Sequence, residues 1–457
     1  MFLSVLPKLH QLKNTLYFLF IVFTLSLNAQ KNKQQEAKWH FIKQASLEGE
    51  FRNFFMHTNN SESLSDYYTN ASGLKLKLNS GRRKGLDLAV GGRYITKTFS
   101  SVIAEKDQET GQFTKWEYEL YDVLNRNNFN FFLLEEFYLN YQSKKTSIRL
   151  GNMLVETPMF STSDGRMRPF IYRGLNTAYA VNSKHQIKFW WLTHTLVRST
   201  TNWFNNNEAI GLITNGFQPN GQVADYQNQY NSRGSGIFNY NFQHNQWCID
   251  YYQFHLDDIM TMSFAEIRKT LGKFNLGMQY TYQHPLKTNR KLAYVHRYIQ
   301  PDERPQVIST RIRYDNSTYS ITGAYSYSLA TGRMLFPKEL GRDWYYTSTA
   351  RSRMEGLGDA HNFLLKGEYF IPKSKLYFAV EYIQMLGPEI DNFHLNKYNI
   401  DEYWQVNAHV RYDANFLKGV NFDLLYVFKE NLNNNDPINV FNRSDYNQFN
   451  LVTNIYF

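Results

Sequence analysis

The stretch from Phe274 to Gln283 reads FNLGMQYTYQ. Apolar side chains alternate in it with polar or small ones, and this period of two is typical of a β-strand with one apolar face. The same alternation runs from Tyr319 to Ser328 and from Trp404 to Tyr412. A soluble β-sandwich has the same period, so alternation indicates strands without choosing between the classes of β-protein.

The types of residue in these rows favour a membrane barrel. The apolar rows tend to begin or end with an aromatic residue, and the opposite rows carry Arg, Glu, Asn, Gln and Gly. Rings at the ends of an apolar row are typical of membrane strands, because they lie at the depth of the lipid headgroups. Aromatic residues make up 17% of the chain while its mean hydropathy is -0.53, which excludes a bundle of transmembrane helices.

The connectors between the predicted strands alternate in length. About eighteen strands are predicted, centred near residues 52, 76, 90, 137, 150, 178, 190, 238, 251, 265, 278, 311, 323, 366, 380, 408, 424 and 452. Even-numbered connectors are short and odd-numbered ones are long, with one short exception after Leu256. The sequence therefore predicts an all-β fold, a transmembrane antiparallel β-barrel with short periplasmic turns and long extracellular loops.

The N-terminus resembles a secretory signal. Lys8 and Lys13 precede an apolar run, Leu16–Leu25, that is too short to span a bilayer, and we expect cleavage after Ala29. Residues 1–29 are predicted to be a signal peptide, 30–45 a periplasmic N-terminal segment and 46–457 the barrel. This organisation predicts the outer membrane of a Gram-negative bacterium as the location.

Charge and cysteine content exclude several kinds of partner. The formal charge is +10, but the longest basic run is Arg82–Lys84, so we expect no nucleic acid partner. The single cysteine, Cys248, allows neither an intrachain disulfide nor a multi-cysteine metal site. The 12 histidines lack the spacing of a metal-binding helix, and we expect no metal and no cofactor.

A barrel of this size predicts a pore, because about eighteen strands leave room for water and small solutes. The long loop from Asn152 to Arg173 contains Asp164, Arg166 and Arg168. Two arginines beside a carboxylate suit a loop that holds a fixed field across a constriction. A surface loop pinned by a salt bridge of Asp164 is the alternative that the sequence leaves open.

The segment from 332 to 361 resembles the corresponding loop of the OprD-type outer-membrane porin family, in its branch common among the Bacteroidetes. Phe51–Phe55, Glu135–Glu136 and the segment from Thr157 to Pro169 are also similar to that family. The resemblance implies an eighteen-stranded barrel whose loops fold inward to a constriction. It also implies a row of basic lumen residues that guide carboxylate-bearing solutes such as amino acids, peptides or organic acids.

The alternation predicts which charged residues face the lumen. The inward candidates for guiding solutes are Arg52, Arg93, Arg149, Arg311, Arg313, Arg411 and the carboxylate of Glu136. Opposed charges along a pore orient a dipolar solute. For each residue the alternative is that the charge solvates the lumen or braces the wall.

We therefore expect passive, partly selective diffusion of small hydrophilic solutes. Export of an anionic polysaccharide through a basic lumen is an alternative. A second is a hydrolase or acyltransferase at the rim, for which Ser352, Asp359 and His361 would supply a catalytic trio. The expected partners are small solutes and outer-membrane lipid, including lipopolysaccharide. A barrel of this kind can also assemble as a homotrimer.

Overall fold

The computed structural model describes residues 44–61, 63–162, 166–414, 417–433 and 436–457. The predicted signal peptide and most of the predicted N-terminal segment lie outside the described residues. The strands are β1 (Ser46–Asn60), β2 (Tyr67–Asn79), β3 (Leu86–Ser100), β4 (Asn130–Gln142), β5 (Thr146–Met153), β6 (Ile171–Ala180), β7 (His185–Leu196), β8 (Trp203–Asn205), β9 (Ser235–His244), β10 (Trp247–Leu256), β11 (Met260–Leu271), β12 (Phe274–Pro285), β13 (Gln306–Asp315), β14 (Tyr319–Ser328), β15 (Ala360–Ile371), β16 (Leu376–Leu386), β17 (Tyr403–Asp413), β18 (Val420–Asn431) and β19 (Tyr446–Tyr456).

The long strands form one closed antiparallel barrel. Each pairs with the next along the chain, and β1 pairs with β19, so that Phe51 lies opposite Ile455. The short β8 pairs with the end of β7, while β7 also pairs with β9, so the wall itself has 18 strands. Every predicted strand centre lies inside one of these 18 strands, which confirms the predicted fold.

The alternation of short and long connectors is also present, with one correction. Segments 101–129, 154–170, 197–234, 286–305, 329–359, 387–402 and 432–445 leave the same end of the barrel. The connectors 257–259 and 61–66 at that end are short, so the prediction of a single exception was wrong. Two four-residue helices, α1 (Asn206–Ala209) and α2 (Pro437–Val440), lie in these loops. No helix in the described ranges is long and apolar enough to cross a membrane.

The outer wall of the barrel is apolar. The side chains of Phe132, Leu150, Ile312, Leu365 and Val380 point away from the lumen and are between 57% and 68% exposed. Exposed aromatic residues mark the strand ends beside the short turns, namely Tyr141, Tyr179, Phe274, Tyr319 and Tyr456. An apolar band with an aromatic border is suited to lipid rather than to water.

The inner wall carries buried charge, and a β-bulge in β4 increases it. The register between β3 and β4 shifts at Gly91, so Glu135 is an additional residue and both Glu135 and Glu136 face the lumen. Glu135 accepts a hydrogen bond of 2.9 Å from Arg93, and Glu136 accepts one of 2.6 Å from Lys75. The bulge therefore places two buried carboxylates among cations on neighbouring strands.

Candidate functional site

The long loop 329–359 folds into the barrel and crosses the lumen. Tyr345 Oη donates to Thr281 Oγ1 at 3.0 Å, and Tyr346 Oη donates to Glu266 Oε1 at 2.7 Å, so this part contacts the inner wall at β11 and β12. Farther along, Arg351 Nε donates to Gln448 Oε1 of β19 at 2.7 Å. The loop thus joins two distant parts of the wall and narrows the space between them.

The 154–170 loop packs against this crossing segment. The backbone nitrogen of Arg342 donates to the carbonyl oxygen of Met159 at 2.8 Å, and the Phe160 ring meets the Phe336 ring edge-on at 5.3 Å. The contact is so close that a Cβ on Gly341 would lie 2.2 Å from the Met159 oxygen. Only glycine fits there, and the two loops form one inserted layer.

A third inserted segment surrounds Glu119, in the 3-10 turn Tyr118–Leu120. The Glu119 carboxylate accepts hydrogen bonds from Arg166 Nε at 3.0 Å and from Arg198 Nη2 at 3.2 Å. Burial raises the pKa of Glu119, but the guanidiniums of Arg166 and Arg198 outweigh that effect and hold the pKa well below its usual range. One carboxylate thus ties the 101–129, 154–170 and 197–234 loops together through two arginines.

Cations gather around Trp116 at this junction. The Trp116 ring centroid lies 4.8 Å from the Lys115 ammonium, 4.7 Å from the Arg351 guanidinium and 5.9 Å from that of Arg166. Lys429 of β18 donates to the Arg351 carbonyl oxygen at 3.2 Å, and its ammonium lies 3.6 Å from the Tyr403 ring centroid. We name Lys115, Trp116, Glu119, Arg166, Arg198, Arg351 and Lys429 the lumen cluster.

The lumen cluster carries a surplus of positive charge. Glu119 neutralises part of the charge on Arg166 and Arg198. Lys115, Arg351 and Lys429 form no ion pair within the described part of the chain, and the Lys115 side chain is exposed to solvent. Burial lowers the pKa of Arg351 and Arg166 lowers it further, but a guanidinium remains protonated at neutral pH. The surrounding protein and the nearby cations lower the pKa of the Lys115 ammonium to about 7, so its charge depends on the pH. Arg351 supplies fixed positive charge inside the barrel.

Another part of the interior is apolar. Phe160, Phe336 and Leu340 of the inserted loops pack with Phe254 and Met262 from the wall at β10 and β11, and all five are buried. The sequence analysis found polar and charged residues in the rows opposite the apolar ones, which predicts a polar interior. Alternation describes the strands and not the loops that enter the barrel. The apolar cluster corrects that prediction for this side of the lumen.

The predicted constriction residues lie in the inserted layer. Arg166 is buried and bonded to Glu119, while Arg168 donates to the carbonyl oxygens of Val197 at 2.6 Å and Thr200 at 2.5 Å. Asp164 lies outside the described residues. The structure thus brings Arg166 into the lumen cluster and gives Arg168 backbone partners in a neighbouring loop, while their effect on selectivity stays a prediction.

Three predicted guiding arginines have carboxylate partners in the wall. Arg93 donates to Glu135 and to Glu50 Oε1, the latter at 3.0 Å. Arg313 pairs with Asp315 and Glu368, and Arg411 pairs with Asp423. The predicted acid Glu136 is held by Lys75 and Lys77. Ion pairs of this kind fit the alternative that these charges brace the barrel wall.

Three other predicted arginines lie against aromatic rings. The Arg149 guanidinium is 4.3 Å from the Tyr138 ring centroid, and that of Arg311 is 4.4 Å from the Tyr346 ring centroid. Arg52 lies 5.7 Å from the Phe54 ring centroid. The Nε atoms of all three arginines are buried and donate no hydrogen bond within the described residues.

The sequence analysis did not select Lys115, Arg351 or Lys429. Lys429 follows Asp423 at an even spacing on β18, so the same alternation that places Asp423 inward reaches Lys429. Arg351 lies in the segment that resembles the porin family, but no sequence signal shows that it meets Trp116 of another loop. Contacts between loops depend on tertiary packing, which alternation does not encode.

The trio considered for catalysis is not assembled. Ser352 bonds to Tyr403 inside the barrel at 2.7 Å, while His361 stacks on the Tyr327 ring of the outer wall at 4.4 Å. Asp359 accepts from Tyr327 at 2.9 Å. Groups of three or more metal-binding side chains are also absent from the described residues.

No protein-family model and no curated protein sequence matches this chain. Solved structures do match it. Pseudomonas aeruginosa OccK9 (OpdG) has a TM-score of 0.70 at 14% identity, over 92% of this chain and 100% of that one. Acinetobacter baumannii OccAB2 has 0.70 at 15%, over 92% and 99%, and Pseudomonas aeruginosa OccK8 (OprE) has 0.68 at 14%, over 92% and 99%. These neighbours are OprD-family porins with an 18-strand barrel, and they are not enzymes.

Proposed function

We propose that this chain forms a channel in the outer membrane of a Gram-negative bacterium, through which small hydrophilic solutes diffuse passively. The closed barrel, its apolar outer wall and its likeness to Occ porins support this proposal. A barrel of 18 strands with inserted loops is an architecture that narrows a wide lumen without sealing it by a separate domain. Membership of the Bacteroidetes branch and a homotrimeric assembly stay predictions.

The proposed solutes carry a carboxylate, as amino acids, peptides and organic acids do. The observation that carries this step is the surplus positive charge of the lumen cluster, where Lys115 and Arg351 lie on the Trp116 ring without an ion pair in the described residues. Fixed cations in a narrow, protein-lined space attract anions because they are poorly screened there. A guanidinium binds both oxygens of a carboxylate through two parallel N–H donors, and an ammonium adds a point charge beside it.

We place the route of the solute on the side of Lys115, away from the apolar cluster around Phe160 and Phe336. Arg52, Arg149 and Arg311 lie against aromatic rings and form no ion pair with a described residue, so their guanidiniums extend the positive potential along the wall. Asp164, Arg166 and Arg168 remain candidates for setting the field at the narrowest level. Arg93, Arg313 and Arg411 contribute less because carboxylates neutralise them.

The two alternatives fit less well. Export of an anionic polysaccharide favours a wide and strongly basic lumen, whereas here loops cross the lumen and many wall cations are paired. A rim hydrolase needs an assembled nucleophile and base, and Ser352 and His361 face opposite sides of the wall.

Single-channel recording in planar bilayers tests the proposal. The refolded protein is expected to give ohmic conductance, with a reversal potential in a salt gradient that shows anion preference. Amino acids, dipeptides and dicarboxylates are expected to reduce the current, and uncharged sugars of similar size are the control. A folded barrel that conducts no ions contradicts the channel, whereas equal effects of sugars and carboxylates contradict only the solute class.

A further inference from the structure

An exposed basic segment lies on the rim of the barrel at the end that carries the long loops. Lys287, Arg290 and Lys291 flank or form the 3-10 turn Asn289–Lys291, and their side chains are exposed. None of the three forms an ion pair with a described residue. These three cations lie within five residues of one another, and the proposed passage of solutes assigns them no role.

The fold holds this segment low on the rim. Leu286 N donates to the Ile259 carbonyl oxygen at 2.9 Å, and Thr288 Oγ1 donates to the Asp258 carbonyl oxygen at 3.0 Å. The segment therefore lies on the short connector 257–259. Buried Asn289 also accepts a hydrogen bond from Tyr230 Oη at 3.3 Å, which fixes the turn from below. Because the connector is short, the three cations stay close to the top of the wall.

The wall beneath the segment changes from apolar to polar at this level. The outward row of β12 runs Met278, Tyr280, Tyr282 and His284, and Met278 and Tyr280 are 49% and 37% exposed. Arg290 is among the charged neighbours of His284. Tyrosines above an aliphatic residue mark the depth of lipid headgroups. The basic segment thus begins where the acyl chains of the outer leaflet would end.

Acidic side chains nearby are occupied by other partners. The Asp257 carboxylate lies 3.1 Å from Arg233 Nε and 3.5 Å from His255 Nε2. Asp258 accepts a hydrogen bond of 3.0 Å from the Asn231 backbone nitrogen. These contacts leave the charge of Lys287, Arg290 and Lys291 available to an outside anion.

We propose that Lys287, Arg290 and Lys291 bind the phosphate groups of an anionic glycolipid in the outer leaflet. The proposal rests on the outer-membrane location given above. One guanidinium and two ammonium groups within five residues suit a phosphate ester, because arginine binds two of its oxygens and lysine adds a point charge. The apolar wall below gives the acyl chains of the same lipid a surface to contact.

Native mass spectrometry of the purified protein in detergent tests this assignment, with bisphosphorylated lipid A as the probe and chemically dephosphorylated lipid A as its control. The wild type is expected to retain the phosphorylated probe. The triple variant Lys287→Gln, Arg290→Gln, Lys291→Gln is expected to bind it about tenfold more weakly. The matched control replaces three exposed lysines at the short turns, Lys144, Lys145 and Lys184, by Gln and is expected to bind as the wild type does.

Three outcomes overturn the proposal. Equal binding by the triple variant and the wild type rejects the site, and equal binding of the dephosphorylated probe rejects phosphate recognition. Phosphatidylglycerol that displaces lipid A at equal concentration rejects the preference for a glycolipid. The measurement needs no conductance, so a protein that binds lipid A but passes no current contradicts the proposed channel alone. Heat-modifiable migration on gels confirms that each variant is folded.

Discussion

The ammonium of Lys397 lies 4.0 Å from the ring centroid of Tyr298, and the rings of Tyr226 and Tyr398 complete a cage around it. Lys397 is fully buried, and its Nζ donates no hydrogen bond within the described residues. Its backbone nitrogen donates to Gly356 at 2.9 Å. The Lys397 side chain therefore joins the 197–234, 286–305 and 387–402 loops by cation–π contacts, and its backbone bonds to the 329–359 loop.

Replacing Lys397 with Ala should loosen these loops. The change removes both the cation and the buried alkyl stem, at a cost of about 2–4 kcal/mol to the packing of the loops. We expect faster limited proteolysis in the 197–234 and 387–402 loops and noisier single-channel currents. Lys397→Met retains most of the packing volume and should lie between the wild type and the Ala variant. An Ala variant as resistant to protease as the wild type would contradict the role of the cage.

Replacing Gly341 with Ala should separate the inserted loops. Its Cβ would lie 2.2 Å from the Met159 carbonyl oxygen, so one backbone must move. Because this contact fixes the layer that crosses the lumen, we expect altered or unstable open-channel conductance from a barrel that is still folded. Gly323→Ala and Gly367→Ala are matched controls, since a Cβ at either position meets nothing within 4 Å. Conductance changed equally by the controls would argue against the inserted layer.

The double variant Lys115→Gln, Arg351→Gln tests the charge of the lumen cluster. At pH 6, below the Lys115 pKa of about 7, it removes two cations that form no ion pair with described residues and retains polar side chains. We expect the ratio of anion to cation permeability to fall roughly twofold or more, measured as a shift of the reversal potential in a salt gradient. Lys144→Gln at a short turn is the control. A smaller effect is expected for Arg166→Gln, because Glu119 already neutralises part of that charge.

The charge of Glu119 is expected to stay constant between pH 7 and pH 4. Its pKa lies well below the usual range, because Arg166 and Arg198 outweigh the effect of burial. The stabilisation by this carboxylate is present above the ordinary pKa of a glutamate and is lost only as the pH falls through the depressed value. Between pH 7 and pH 4 we therefore expect no rise in anion preference from protonation of Glu119. Glu119→Gln should show stronger anion preference throughout, and a wild type that converges on that variant at pH 4 would refute the depressed pKa.

The strands could be predicted because each one carries its own evidence. From Phe274 to Gln283, the alternation of apolar and polar residues predicts which side chains face outward. The structure has a strand there with that alternation. The bulge at Glu135 breaks that period by one residue and turns a second carboxylate inward. Alternation alone does not locate such a shift, because a strand with Glu135 and Glu136 reads equally well in either register.

The site was less predictable than the wall. Arg166 was selected because two arginines in one long loop suggest a constriction, but its partner Glu119 comes from another loop. Trp116 and Arg351 are in contact although they lie 235 residues apart in the sequence, and no local pattern encodes that contact. The sequence therefore predicts which residues are charged and which loops are long, while the pairing between loops requires the folded chain.

The last prediction compares two arginines of the barrel wall that differ in how deeply they are buried. The Arg93 side chain is 3% exposed and bonds to Glu135 and Glu50, whereas the Arg411 side chain is 51% exposed and bonds to Asp423. Arg93→Met removes the bonded cation of Glu50 and leaves the buried Glu135 carboxylate with only Lys75 at 3.9 Å, at a cost of about 3–5 kcal/mol. Arg411→Met should cost less than about 1 kcal/mol, because water replaces the lost partner. Urea unfolding of both variants in detergent micelles measures the difference. Equal losses in the free energy of unfolding would show that burial does not control the strength of these pairs, and that Arg93 solvates the lumen rather than bracing the wall.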